Sequence, residues 1–250
     1  MSGVRMVALG GLPEVRPGDD LPALLAAAAP RDLADDDVLC IAHKVVSKAE
    51  GRVVDLVDVT PGPRALALAS AHGKDARQIE VVLGEADAIV RERPGVLICR
   101  TRHGFVCANA GVDASNAGGA ERLVLLPLDP DTSARAIRSA LRERLGVAPA
   151  VVITDSFGRA WRRGQCEIAI GVAGLTTVEA WDGRTDSDGR ELRATAIAVA
   201  DEAAAAADLV RSKDSREPAV VVRGLRRHVT ADDGPGARDL VRSVEEDLFR

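Results

Sequence analysis

Short apolar runs rich in Val, Ile and Leu recur along the chain, at 4–9, 37–43, 95–100, 104–112, 123–128, 150–154 and 219–224. They are short, β-branched and bounded by turn residues, so each is expected as a strand. Helical signals lie between them. Residues 19–29 begin with acids and place a Pro near the first turn. Residues 75–93 carry acids early and Arg late, which suits the helix dipole. Residues 131–146 stop at Gly146, an expected C′ glycine. The stretch 191–213 is the longest expected helix, with an Ala-rich face, and 236–250 is the last. "ICRTRHGFVCA" predicts a hairpin turning near His103-Gly104. Strands and helices mix without strict βαβ alternation, which predicts an α+β or mixed α/β architecture. "TPGPR" and "WDGRTDSDGRE" are the strongest loop signals, but neither is long enough to link domains. One domain over residues 1–250 is expected.

With 2% aromatic residues and no Tyr, base-stacking platforms for single-stranded nucleic acid are hard to build. A core of Ala, Val and Leu must instead rely on close helix–sheet packing. The net charge is −5 and the basic residues are scattered, which disfavours an extended nucleic-acid footprint and favours small anionic ligands. Cys40, Cys99, Cys107 and Cys166 form no CxxC pair and no zinc spacing, so free thiols in a reducing cytosol are expected. The N-terminal segment lacks the apolar core of a signal peptide, and no apolar run reaches the roughly 18 residues of a membrane span. The expectation is a soluble cytoplasmic protein with no membrane and no nucleic-acid partner.

Three segments carry chemistry. In "VVITDSFGRAWRRGQ", residues 151–165, a carboxylate and a hydroxyl follow the end of an expected strand. Asp155 and Ser156 can hold a hard cation there, or Asp155 can simply cap a turn. "ANAGVDASNAGG", residues 108–119, crowds Asp113, Ser115 and Asn116 among small residues that admit close backbone approach. It reads equally as a ligand loop or as a surface turn. "AHKVVSKAEG", residues 42–51, offers Lys44, Ser47 and Lys48 after a strand, where a Lys can reach a phosphate as a point charge. There is no GxxxxGK[ST] P-loop, and "ALGGLPE" is not a GxGxxG dinucleotide fingerprint. Together, Asp113 and Asp155 could share one or two Mg²⁺ or Mn²⁺ ions bridging nucleotide phosphates. The cations Arg159, Arg162 and Arg163 would neutralise further phosphate or carboxylate oxygens, and Arg159 and Arg162 are the favoured pair on a loop or single turn.

The chain resembles the coenzyme F-420-0:L-glutamate ligases, which attach the γ-linked glutamate tail to the deazaflavin coenzyme F-420. The resemblance runs along nearly the whole chain, through "GLPEVRPGDDL", "KVVSKAEGR", "AGVDASN", "VVITDSFGRAWRRGQ", "VADEAAAAADLV" and "AVVVRG". It implies the fold of that family, neither P-loop nor Rossmann, in an intertwined homodimer. Some relatives carry a further C-terminal nitroreductase-like domain, which is not expected within these residues. The implied reaction uses GTP to join L-glutamate to coenzyme F-420-0 through an acyl phosphate, with two divalent ions, Mg²⁺ or Mn²⁺, and K⁺ as a further ion.

By the same resemblance, Leu12, Pro13, Glu14 and Val15 contact the nucleotide, as do Lys48 and Asn116. So does the loop Arg211, Ser212, Lys213, Asp214, Ser215, Arg216, Glu217 and Pro218. Asp113 and Asp155 bind the first divalent ion, and Ser156 the second. His43 stands where relatives have Ser or Thr touching the nucleotide. Lys213 stands where some relatives have Gln near the second metal, and a cation cannot ligate one. The competing readings are a metal-dependent phosphohydrolase on the same Asp pair and a nucleotide-binding subunit without turnover.

Overall fold

A computed structural model describes residues 3–247. In chain order its elements are β1 (Arg5–Leu9), α1 (Leu21–Ala28), β2 (Val38–Ala42), α2 (His43–Ala49), β3 (Val53–Asp55), α3 (Pro63–His72), α4 (Ala76–Glu85), β4 (Ala86–Arg93), β5 (Val96–Thr101), β6 (Val106–Ala108), β7 (Arg122–Val124) and α5 (Pro130–Leu145). They continue with β8 (Ala150–Arg159), β9 (Arg162–Ala173), β10 (Glu179–Ala180), β11 (Ala196–Ile197), α6 (Val199–Asp208) and β12 (Ala219–Arg223). This is a mixed α/β architecture.

The main sheet has the order β1-β12-β2-β8-β9. Its β2–β8 pair is parallel and its other pairs are antiparallel, which separates it from a doubly wound parallel sheet. Both faces are covered, and the strands show why their sequences are apolar throughout. Leu39, Ile41, Val151, Ile153 and Val221 face one side, with Leu21, Leu25, Ile137 and Leu141 of α1 and α5. Val38, Cys40, Val152, Val220 and Val222 face the other, with Ala200, Ala203, Ala204 and Ala207 of α6. The strand period of two divides the same run between two cores. The Ala stripe lets α6 lie close to the sheet, and a larger side chain at Ala204 would overpack it at a cost of about 1–3 kcal/mol. Residues between β3 and β7 form a third buried cluster, in which Ile79 and Val82 of α4 meet Leu97 and Cys99 of β5.

Local signals explain several boundaries. Asp129 caps α5 by accepting a hydrogen bond from Thr132 N at 3.0 Å, and Gly146 ends it at φ 74°. Asp20 caps α1 in the same way through Ala23 N. The hairpin around His103-Gly104 joins β5 to β6, closed by Thr101 N donating to Phe105 O at 2.8 Å. The four cysteines are free thiols. No described helix is long and apolar enough to cross a membrane.

Other boundaries depart from expectation. The run 75–93 is not one helix: α4 ends at Glu85 and β4 begins at once. Arg52 and Arg102 hold the Glu85 carboxylate at 2.7 Å each, a tertiary clamp at the helix end. The run 191–213 is helical only over α6, because Ile197 and Ala196 pair with Glu179 and Ala180. The last expected helix shows one 3-10 turn at Ala237–Leu240, anchored by Ala237 N donating to Asp131 Oδ1 at 2.7 Å, and its residues 248–250 lie outside the description. Helices α2 and α3 and the long strand β9 were not expected. The cationic run is no separate loop: β8 extends through Arg159, which pairs with Arg162 across a two-residue tip.

Candidate functional site

The site begins where β2 stops. Its last residue, Ala42, pairs with Thr154 of β8. The chain then turns into α2 while β8 runs on, which leaves Asp155 beside His43. His43 is 2% exposed, and its Nε2 lies 3.3 Å from Asp155 Oδ1 without hydrogen-bond alignment. Its Nδ1 is 3.2 Å from Ser47 Oγ one turn later. Asp155 Oδ1 accepts the Ser156 N–H at 2.8 Å.

The next residue of α2 reaches the other carboxylate. Lys44 Nζ lies 2.5 Å from Asp113 Oδ2 and donates to Ser115 Oγ at 2.6 Å. The Asp113 backbone is pinned by reciprocal hydrogen bonds with Val124, at 3.0 and 2.8 Å. Consecutive residues of one helix therefore border both carboxylates. Burial alone would raise the Asp113 carboxyl, but hydrogen bonds from Lys44 and Ser115 overcome it and hold it below its ordinary value. Burial first, and the Asp155 charge second, push the nearby Cys107 thiol up to about 12, so it stays protonated. It is not a nucleophile.

The remaining expected residues arrive on loops. Glu14 pairs with Lys48, which ties the segment Leu12–Val15 to α2. Val15 is buried, and a cleft of about 500 Å³ opens here, lined in part by Pro13, Glu14, Arg16 and Asp19. Asn116, at φ 55°, donates to Lys213 O at 3.4 Å and so joins the Asp113 loop to the loop before β12. In that loop Ser212 Oγ donates to Asp214, Ser215 Oγ donates to Ser212 O, Arg216 adopts φ 58° and Pro218 O accepts the Ala42 N–H at 2.8 Å. A side chain on Gly10 would meet Glu217 at 3.8 Å, so the first and last of these loops converge.

Beside Asp155 sits a residue that the sequence did not single out. Glu167 of β9 pairs with Ser156 across the hairpin and is 3% exposed. Ser156 Oγ donates to its Oε1, and Arg211 Nη2 lies 2.9 Å from its Oε2. Lys213 Nζ is 3.1 Å from Oε1 and donates to Ser156 Oγ at 2.6 Å. Burial works against its charge, but Arg211, Ser156, Thr154 and Lys213 together hold the carboxyl below its ordinary value. The register depends on a bulge, since Ile153 pairs with Gly171 but Thr154 with Ala169. Only glycine fits at 171, where a Cβ would come 2.3 Å from Pro130 O. The Ala169 N–H next to the bulge is taken by Asp201 of α6 at 2.9 Å. Only the pairing of β8 with β9 brings Glu167 here; its sequence neighbours give no signal.

Arg159 and Arg162 stand apart from this cluster. They are exposed at the hairpin tip, about 13 Å along the strand from Asp155 at ~3.3 Å per residue. Arg159 Nη2 donates to Arg163 O at 2.7 Å.

Two carboxylates suit a hard divalent cation. Among the described residues no three His, Cys, Asp or Glu side chains gather to hold one, so its further ligands would come from nucleotide oxygens and water. That fits an ion at Asp113 and Asp155. It does not fit a second ion on Ser156, whose hydroxyl already serves Glu167 and the Lys213 ammonium.

A family model described as F420-0:Gamma-glutamyl ligase matches residues 11–224, a span that contains every loop of the site. The chain belongs to the F420-0:gamma-glutamyl ligase family. Its relatives include the coenzyme F420:L-glutamate ligase of Methanopyrus kandleri, 46% identical over 97% of this chain and 100% of the relative. The enzyme of the same name from Methanothermobacter thermautotrophicus is 43% identical over 99% of both chains. That of Haloarcula marismortui is 44% identical over 99% of this chain and 96% of its own.

Proposed function

We propose that the chain joins L-glutamate to coenzyme F-420-0 and to its glutamylated forms, at the expense of GTP, in coenzyme F420 biosynthesis. It is a coenzyme F420:L-glutamate ligase. The observation that carries this reading is the family match through all the site loops, backed by relatives of that name along nearly the full chain.

The reaction needs no enzyme nucleophile. An oxygen of the acceptor carboxylate attacks the γ-phosphorus of GTP, GDP leaves, and an acyl phosphate forms. The glutamate amine then attacks the acyl carbon, phosphate leaves with the bonding pair, and the nitrogen loses a proton. Negative charge gathers on phosphate oxygens, so positioning and electrostatics dominate. Asp113 and Asp155 would hold a Mg²⁺ or Mn²⁺ ion, which supplies charge neutralisation at those oxygens when bound. Lys48 would place a point charge on the nucleotide, and Glu14 parks its ammonium until then. His43, its Nε2 3.3 Å from the Asp155 carboxylate, would help to position it. The loops at 12–15, at Asn116 and at 211–218 would wall the nucleotide, and Arg159 and Arg162 would close on the acidic substrates from the hairpin tip.

We take residues 1–250 as one ligase domain working in an intertwined homodimer, for which light scattering should give about twice the 26.2 kDa subunit mass. The decisive assay measures GDP release with and without L-glutamate and the glutamate-free coenzyme, following products by mass. Release that needs both, with product heavier by one glutamyl residue, supports the ligase. Phosphate release with no mass gain overturns it in favour of a phosphohydrolase.

A further inference from the structure

Two positive side chains converge on one buried carboxylate next to the proposed metal site. Arg211 takes one oxygen of Glu167 at 2.9 Å, and Lys213 takes the other at 3.1 Å. The two cations differ in how they are held. The Arg211 side chain is 7% exposed and also donates to Thr154 Oγ1 at 3.2 Å and Pro218 O at 3.2 Å. The Lys213 side chain is 68% exposed and reaches in from the loop by its tip. There its ammonium sits 2.6 Å from Ser156 Oγ and 3.6 Å from Asp208 Oδ1.

That position is where a second divalent ion would sit if Ser156 were its ligand. Such an ion lies about 2.0–2.6 Å from its oxygen ligands. An ammonium 2.6 Å from the same oxygen, and drawn there by both Glu167 and Asp208, competes with such an ion by contact and by charge. The carboxylate that could have strengthened the ion's hold, Glu167, is already engaged by Arg211, Lys213 and Ser156. An ammonium carries three donors, of which Ser156 and Glu167 take two. The third can reach a phosphate or carboxylate oxygen.

We propose that Lys213 is the second cation of this site, built into the chain, so that each chain binds one divalent ion with the nucleotide. This rests on the ligase reading above. It makes Lys213 a determinant of metal stoichiometry.

The test counts Mn²⁺ on the full chain saturated with GDP, from the loss of the free-ion EPR signal. Wild type is expected to bind one Mn²⁺ per chain. Lys213→Gln, which offers a neutral oxygen in place of the ammonium, is expected to bind two. Lys213→Arg keeps the charge and is expected to stay at one. Adding Ser156→Ala to Lys213→Gln should return the count to one. Circular dichroism and the melting curve confirm that each variant is folded, and the exposure of Lys213 makes that the expected result. Two ions on wild type, or one on folded Lys213→Gln, overturn the proposal. Failure of the ligase reading is separately visible, as absent glutamyl transfer by wild type in the mass assay. A chain that transfers glutamate and binds two ions refutes only the role of Lys213.

Discussion

Asp113 and Glu167 are both carboxylates that neighbouring cations help hold below their ordinary values. Their surroundings differ. The Asp113 side chain is 43% exposed and its partner Lys44 21%. Glu167 is 4% exposed and Arg211 7%. Water can take over from Lys44 at little cost, so in the proposed site Asp113 would exchange an ammonium for a metal ion. Nothing can take over from Arg211 without leaving a buried charge unpaired. The exposed pair is the one the proposed metal site would open; the buried pair is architecture.

The largest expected effect separates the two. Asp155→Asn or Asp113→Asn keeps size and removes a charge that would hold the proposed divalent ion. Glutamate-dependent GDP release should fall by about a thousandfold or more, roughly 4 kcal/mol, while the melting temperature stays near that of wild type. Substantial turnover at ordinary Mg²⁺ would remove that residue from the site.

Next comes Glu167→Gln, which should act on stability. It leaves Arg211 buried without its charge partner and should cost about 3 kcal/mol or more in denaturant unfolding. The pH dependence has a definite sign. The Glu167 carboxyl is depressed below its ordinary 4.5, so its contribution is complete above that value and is lost as pH falls through the lower folded value. Melting temperatures from about pH 3 to 7 should show this acid loss in wild type, and it should be reduced in Glu167→Gln. Unchanged stability would move Glu167 from the architecture to the ligand set.

The smallest effect concerns the hairpin tip. Arg159→Ala or Arg162→Ala should lower glutamate-dependent GDP release about tenfold, roughly 1.4 kcal/mol, and leave stability unchanged. Wild-type rates in both would show that the tip stays in solvent during turnover.

How much of this was legible in the sequence depends on which force decided each part. Strands β2, β8 and β12 were legible because burial on both faces writes an unbroken apolar run. Asp155 stands out as a candidate because a polar residue after such a run marks the exit from the core, and Asp113 because small and polar residues crowd around it. Strand β9 was not, because its first four residues, 162–165, are exposed and carry no apolar run, and pairing with β8 orders them. Glu167 was hidden for the same reason, since its meaning comes from a register and a bulge rather than from its neighbours. The break after Glu85 was hidden because its clamp comes from Arg52 and Arg102, far away along the chain. The approach of the His43 ring to Asp155, at 3.3 Å, was hidden too, because 112 positions separate the two in the chain and only the parallel β2–β8 pairing brings them together.

The strand order β1-β12-β2-β8-β9 also sets a timetable for synthesis. The first two strands to leave the ribosome cannot pair with each other, because the strand between them is the last of the sheet to be made. Between Ala42 and Ala219 lie about 180 residues, or some 10–40 s of translation at ~5–20 residues per second. During that time β2 can dock only on β8, and β1 has no partner in the sheet. Arrival of β12 closes the gap in one insertion. A nascent chain stalled before Ala219 would thus leave backbone edges of β1 and β2 unpaired at once, open to pairing with another chain.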